Sequence, residues 1–286
     1  MKRKKSNRTA LYTVVAIVVV VMVVGVYFLS LGGGVTNSET TPVSSATLSQ
    51  LSQVANSRYG TPHIGGWRSY SGSPLVDGNR FVVLFVSGDF CPYCAAERWP
   101  LVLALMRFGT FSSLDYTYSG SSIEFPNTPS FSFANYSYSS QYVSLQAYEF
   151  EDRNGKPLDS VPANYTAIWK GLPSNGTVPF LDVGNSYVMP GSQFSPSILG
   201  GMTQEEVVQS ILDNGSVGNT IMAVADGITS VICNLTKGAP ASVCGLVHVS
   251  ALDSLNAGSP RIAAEAWATV QYTQTEWIRR TSAATR

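Results

Sequence analysis

The stretch from Arg80 to Gly109 constrains this chain more than any other. Phe81-Val82-Val83-Leu84-Phe85-Val86 is an unbroken apolar run, rich in β-branched and aromatic residues. Bounded by Gly78-Asn79 and Ser87-Gly88, it reads as a strand buried on both faces. Cys91-Pro92-Tyr93-Cys94 follows, and Ala95 to Met106 carries enough apolar residues for a helix that Gly109 ends. Pro92 suits the first helical position, where its missing N–H costs nothing. Cys91 then sits at the helix start, where free amides and the positive dipole end stabilise a thiolate. Cys94 lies about one turn further in, close enough to bond back to Cys91. One sulfur is placed to attack and the other to resolve.

Three chemistries fit a Cys-x-x-Cys: a redox pair, half a zinc site, or inert packing. Zinc needs two more ligands, and the remaining Cys and His are His63, His248, Cys233 and Cys244. None of these forms a second short-spaced pair, so the reading expects no metal and no cofactor. His63 reads as an ordinary packing or surface residue. Four cysteines allow three pairings. Proximity joins Cys91 to Cys94, which leaves Cys233 with Cys244. The ten residues between those two hold a Gly and a Pro, so the chain can double back. Such a bridge would stabilise by about 3 kcal/mol as a structural disulfide. A second redox pair relaying electrons to Cys91 is the other reading.

The formal charge of zero hides an asymmetry. Of 18 basic residues five precede Leu11, leaving 13 against all 18 acidic ones. The body is mildly acidic, with no basic patch suited to nucleic acid. Leu11 to Leu31 is nearly all apolar, and its 21 residues span a hydrocarbon core of about 30 Å. Basic residues on its N-terminal side alone put that end in the cytoplasm and the body outside. A cleaved secretory signal is the alternative, with a shorter apolar region and a small-x-small cleavage site. Either way the body is exported to where disulfides persist. Sequons at Asn135, Asn164, Asn175, Asn214 and Asn234 agree with export.

The remaining chain divides as follows. Residues 1–10 are a basic tail, 11–31 a transmembrane helix and 32–47 a flexible tether. Leu48, Leu51 and Val54 start a short helix. Leu114–Tyr118 and Tyr142–Phe150 read as strands. Gly120–Ser140, dense in Ser, Asn, Pro and aromatics, reads as an exposed insertion that packs its rings as a lid. Thr177–Val183 and Ser186–Met189 form a hairpin through Gly184-Asn185. Pro179 belongs at the edge or beginning of its strand, with a cis peptide as one option. Thr203 to Glu206 is a capping box opening a helix. Ile221, Val224, Ile228, Val231 and Leu235 mark a second helix, too short to span a bilayer. Ile262 to Trp277 marks a last one.

Cys91-Pro92-Tyr93-Cys94 after an apolar strand, with Thr177-Val178-Pro179 and a hairpin downstream, resembles the thioredoxin superfamily. The Pro-Tyr dipeptide is similar to that of glutaredoxins. The anchor, the long insertion and the C-terminal cysteine pair resemble an archaeal membrane-anchored family, domain of unknown function 929. The resemblance implies an α/β thioredoxin-like fold over residues 48–216, with an insertion at about 120–171. A helical extension over 217–286 would carry the second cysteine pair. It implies Cys91 as attacking thiolate, Cys94 as resolving thiol and Pro179 as a cis-proline beside them. The Val178 backbone would then pair with an extended substrate segment. Pro100 matches the kink many thioredoxins carry in this helix. Many also place a buried acid six residues before the first cysteine, where this chain has Phe85. Asp89 and Glu97 are the candidates to manage the Cys94 proton instead.

The expected function is an exported, membrane-tethered thiol–disulfide oxidoreductase that forms or rearranges disulfides in proteins, served by an unidentified redox partner. The alternative is a thioredoxin-fold binding or assembly module with purely structural disulfides, which burial of Cys91 would favour. Electron delivery to a metallochaperone or cytochrome-maturation factor is a third reading.

Overall fold

A computed structural model describes residues 40–70, 72–171 and 174–247. The basic tail, the Leu11–Leu31 segment and the Ile262–Trp277 helix lie outside the described residues. The described chain is mixed α/β, with two sheets and six α-helices.

Strand β4 (Arg80–Ser87) is the axis of the larger sheet. Strand β7 (Val143–Glu149) lies parallel on one edge, paired from Phe81↔Val143 to Ser87↔Glu149. Strand β8 (Phe180–Val183) lies antiparallel on the other edge, which it shares with β3 (Val76–Asp77). Beyond β8 come β9 (Tyr187–Pro190) and β2 (Arg68–Ser69). Burial on both faces follows from the pleat. Val83 and Phe85 face the main core, and Val82, Leu84 and Val86 face a second apolar layer. Tyr165, Ile168 and Trp169 of helix α3 (Ala163–Lys170) cover that second layer. The β8–β9 turn works because Gly184 and Asn185 both take positive φ, +64° and +55°. That is the backbone a tight two-residue hairpin demands.

Helix α2 (Pro92–Met106) runs through the main core, and Tyr93 alone among its residues is not buried. It is therefore apolar on every side rather than amphipathic, with Glu97 and Arg98 as exceptions to be accounted for. Helix α1 (Ser45–Ser57) packs on it through Leu48, Leu51 and Ala55. Ser44 caps α1 by accepting from the Thr47 amide at 3.0 Å. Residues 41–47, expected within the tether, belong to the fold. Thr41–Pro42 (β1) pairs with β5 (Gly109–Tyr118) before α1 begins.

The exposed lid expected over Gly120–Ser140 is a core strand from Pro129 onward. Strand β6 (Pro129–Ser140) pairs antiparallel with β5 in a three-stranded sheet, order β1-β5-β6. Its serines alternate with aromatics, so Phe131 and Phe133 face the apolar core while Ser130 and Ser132, buried as well, face the other way; the strand becomes exposed only from Ala134. Trp99 of α2 donates to the Pro129 carbonyl at 2.9 Å and packs on Phe131, ring centroids 4.3 Å apart.

Helix α4 (Gln204–Leu212) opens with both bonds of the Thr203/Glu206 capping box. Helix α5 (Ser216–Leu235) is longer than its sequence pattern from Ile221 suggests. Its 20 residues make it, among the described residues, the one helix long and apolar enough to cross a membrane. Here Ile221, Val224, Ile228 and Val231 are core residues packed with α2. The first part of the expected C-terminal extension thus shares the main core. Gly227 lets it approach closely: a Cβ there would fall 1.9 Å from the His63 carbonyl oxygen. Arg107, just past α2, ties the helices together. It pairs with Asp226 at 2.7 Å and donates to the Ala55 and Arg58 carbonyls and to Thr229. A disulfide joins Cys233 at the end of α5 to Cys244 in α6 (Ala241–Cys244).

Candidate functional site

Cys91 is the N-cap of α2, in extended conformation, and Pro92 takes the first helical position. The Cys91 sulfur accepts from the Cys94 amide at 3.2 Å. Both sulfurs are free thiols, where the sequence expectation joined them; Cys233 and Cys244 alone are bonded. The turn before them is tied at two points. Asp89 N–H donates to the Glu151 carbonyl at 2.8 Å, and Gly120 N–H donates to the Phe90 carbonyl at 3.0 Å.

The two thiols have opposite acidities. Burial alone would push Cys91 up. Hydrogen bonds from the Cys94 thiol and amide, and then the Arg98 charge, outweigh it and hold Cys91 below the ordinary thiol value. Cys94 is pushed well above its ordinary value by burial first, then by its neighbour Cys91. A proton shared unequally between two adjacent sulfurs leaves the N-cap sulfur the more readily ionised of the two. Cys91 is nonetheless only 5% exposed.

The register of β8 places Pro179. Phe180 is opposite Val86, so Pro179 falls beside the end of β4, where the chain turns toward Cys91. The Val178–Pro179 peptide is cis, and the Pro179 carbonyl accepts from Gly191 N–H at 2.7 Å. Val178 packs on the second apolar layer. Aromatic rings lie around the cysteine turn: Tyr93 with Phe125, and Phe90 with Phe150, which also meets Trp169.

The two carboxyls nominated from sequence separate. Asp89 pairs with Arg98 at 3.1 Å and is pushed up to about 8 by burial, then by Glu149, against the pull of Arg98. Glu97 points elsewhere. Its Oε2 accepts from Gln193 N–H at 3.0 Å and Ser192 Oγ–H at 3.3 Å. Its Oε1 is buried with no hydrogen-bond donor, and burial pushes the group up to about 8. Since the next residue back, Gly191, binds the Pro179 carbonyl, Glu97 braces the segment that holds Pro179.

Arg98 and Glu149 are absent from the sequence reading. Arg98 is fully buried and pairs with Glu149 at 3.0 Å as well as with Asp89. It also donates to Ser87 Oγ at 3.2 Å and Ser130 Oγ at 3.4 Å. Glu149 in turn accepts from Ser132 Oγ–H at 2.8 Å and Phe133 N–H at 2.9 Å. The available signal was charge in an otherwise apolar helix, four residues past Cys94.

The model of a family described as domain of unknown function (DUF929) matches residues 69–234. The chain belongs to this family. No curated protein and no solved structure matches it.

The span matched by DUF929 holds Cys91, Cys94, Asp89, Arg98, Glu149, Pro179 and Cys233, and stops before Cys244. The cysteine turn with its arginine cluster therefore lies within the family's shared region. Two clefts of about 380 and 320 Å3 lie along α5, the first lined by His63 and Gln193, the second by Arg58, Tyr59 and Asp226. Neither shares a lining residue with the cysteine turn. Among the described residues no group of three His, Cys, Asp or Glu side chains is placed to hold a metal ion.

Proposed function

We propose that this protein is a membrane-tethered thiol–disulfide oxidoreductase of thioredoxin type, acting on protein thiols and disulfides through Cys91 and Cys94. The observation that carries the reading is Cys91 at the helix N-cap, accepting from the Cys94 amide at 3.2 Å. An N-cap sulfur is where a thiolate gains most from free amides and the helix dipole. The topology supports it: β4 leads to the cysteine turn, with β7 parallel on one edge and antiparallel β8, opened by Pro179, on the other. A thioredoxin-like fold has this arrangement. The β5–β6 hairpin is then an insertion between α2 and β7, earlier than the expected 120–171.

In the reducing direction, the Cys91 thiolate attacks a substrate disulfide, forming a mixed disulfide and expelling one substrate thiolate. Cys94, having given up its proton, attacks the Cys91 sulfur, closes the Cys91–Cys94 bridge and releases the second substrate thiol. Two electrons pass from the pair to the substrate, and the reverse sequence oxidises a dithiol. Val178 and Pro179, beside the turn, would offer backbone to an extended substrate segment. The Leu11–Leu31 segment would anchor the chain with the body outside the cytoplasm. The Cys233–Cys244 disulfide supports an oxidising compartment, and a structural role for that bridge.

The 5% exposure of Cys91 favours a second reading, a binding or assembly module in which the cysteine pair is structural. The reduction potential of the Cys91–Cys94 pair in the full-length protein separates the two. A value of about −120 to −180 mV supports an oxidase or isomerase, and about −270 mV a reductant. A bridge below about −300 mV, with a Cys94→Ser variant that traps no mixed disulfide, hands the case to the binding module.

A further inference from the structure

Arg98 is a fully buried cation on a helix whose other buried residues are apolar or thiol, Glu97 excepted. It follows Cys94 by four residues and Cys91 by seven, spacings that put all three on one helix face. Two carboxylates on two other elements hold it there: Asp89 in the turn before α2, at 3.1 Å, and Glu149 at the end of β7, at 3.0 Å. Ser87 and Ser130 hydroxyls accept its remaining donors. A charge buried at this depth is costly unless paired. A core with no chemistry to serve would do as well with a leucine. We propose that Arg98 is the positioning charge of the cysteine turn. Braced by Asp89 and Glu149, its guanidinium attracts whichever sulfur carries negative charge, and so sets how readily Cys91 reacts. This rests on the exchange reading of the cysteine pair given above, and adds the residue that tunes it.

The groups facing the turn support the assignment. From α2 they are Cys94, Tyr93 and Arg98. Asp89 comes from the preceding turn and Glu149 from β7, while Asp152 acts on Asp89 and Glu124 acts on Tyr93. Arg98 is the one cation among them, and its field acts on both sulfurs. Two carboxylates for one guanidinium leave a surplus negative charge, which a proton on Asp89 relieves. Arg98 is then paired with Glu149 and still free to attract the sulfurs.

The test is the pH profile of Cys91 alkylation by iodoacetamide, in the full-length protein carrying Cys94→Ser. Arg98→Met combined with Asp89→Asn and Glu149→Gln removes the cluster's charge while keeping its volume. The thiolate midpoint is expected to rise by about one unit, slowing alkylation near pH 7 about tenfold. Arg98→Lys, which keeps the charge, should restore most of the rate. A folded charge-free variant that titrates like its parent overturns the proposal. A measurement without cluster variants covers the case where that protein does not fold. Carbon-13 carboxyl NMR should show Asp89 titrating lower with Cys91–Cys94 oxidised than with the pair reduced, because oxidation removes the thiolate. Identical titration in both states overturns the proposal equally. Iodoacetamide reads the thiolate whether or not any substrate exists. If the exchange reading alone fails, no mixed disulfide forms while the Arg98 dependence persists.

Discussion

Arg98 and Arg107 lie nine residues apart along one helix and its C-cap, both with fully buried side chains, yet they are paired quite differently. Arg107 meets one carboxylate, Asp226, two backbone carbonyls, the Thr229 hydroxyl and the Tyr59 ring 4.3 Å away. Its charge balances one to one, and its carbonyl partners come from α1 and the segment after it. Arg98 meets two carboxylates and two serine hydroxyls, with two thiols on its own helix face. One cluster is a closed ion pair stitching helices together. The other holds a surplus carboxyl beside the free thiols of Cys91 and Cys94. A buried arginine that only builds structure should be insensitive to pH and to redox state, whereas one that serves chemistry should be neither.

The largest effect belongs to the structural cluster. Asp226→Asn or Arg107→Met leaves the other charge buried without its ion-pair partner, and should cost about 3–5 kcal/mol in denaturant unfolding. Cys91 alkylation in the surviving folded fraction should be unchanged. A large change there would erase the distinction between the two clusters.

The pH dependence should come from buried carboxyls outside the Arg107 cluster, with Asp182, pushed up to about 7 by burial, adding to the two below. Asp89 and Glu97 are both held up to about 8 by burial, so folding favours their protonated forms. Below about pH 4 the folded and unfolded chains both hold these protons, and neither group costs stability. As pH rises toward 8 the unfolded chain ionises first, so stability falls across that window and flattens above it. Glu97→Gln should flatten this slope and raise stability at pH 8 relative to the parent, on the order of a few kcal/mol at most. At pH 5 the gain should be much smaller, about 1 kcal/mol. Chemical denaturation at the two pH values checks this, and a slope unaffected by Glu97→Gln would place the pH sensitivity elsewhere.

Much of this architecture was legible in the sequence, for reasons that particular residues show. β4 and α2 stood out because an apolar run, a Cys-Pro step and a closing Gly each carry their own geometry. The β8–β9 turn was legible because Gly184-Asn185 meets a positive-φ requirement few other pairs meet. β6 was misread because Ser, Asn and Pro suggest loop by composition. Its period-2 alternation of Ser and Phe was the signal that outweighed them. α5 was read short because Gly218, Asn219 and Thr220 weaken the apolar pattern in its first turns. Arg98 was passed over because a Glu-Arg pair in a helix normally marks a solvated face. In a helix buried all round there is no such face, and Glu149, its partner, is 51 residues away in sequence. Its role depends on strand pairing that no local pattern encodes.

Next in size is the covalent tie between α5 and α6. Replacing Cys233 and Cys244 with Ser should lower stability by about 3 kcal/mol, yet leave the Cys91–Cys94 potential where it was. A shift in that potential would mean the two pairs exchange electrons, and the bridge would be a relay rather than a brace.

The smallest effect compares the arginines most directly, because it removes one equivalent hydroxyl from each. Ser87 Oγ accepts from Arg98 at 3.2 Å, and Thr229 Oγ1 accepts from Arg107 at 2.7 Å. Both hydroxyls are fully buried, so Ser87→Ala and Thr229→Val should each cost about 1.5 kcal/mol as a lost bond to a charged group. Stability alone would not tell them apart. Cys91 should: freed of Ser87, the guanidinium shifts toward its carboxylates, and the alkylation profile moves by a few tenths of a pH unit. Thr229→Val should leave that profile alone. Equal stability losses with unequal thiol profiles would tie the chemistry to Arg98, whereas equal profiles would reduce both arginines to the same structural part.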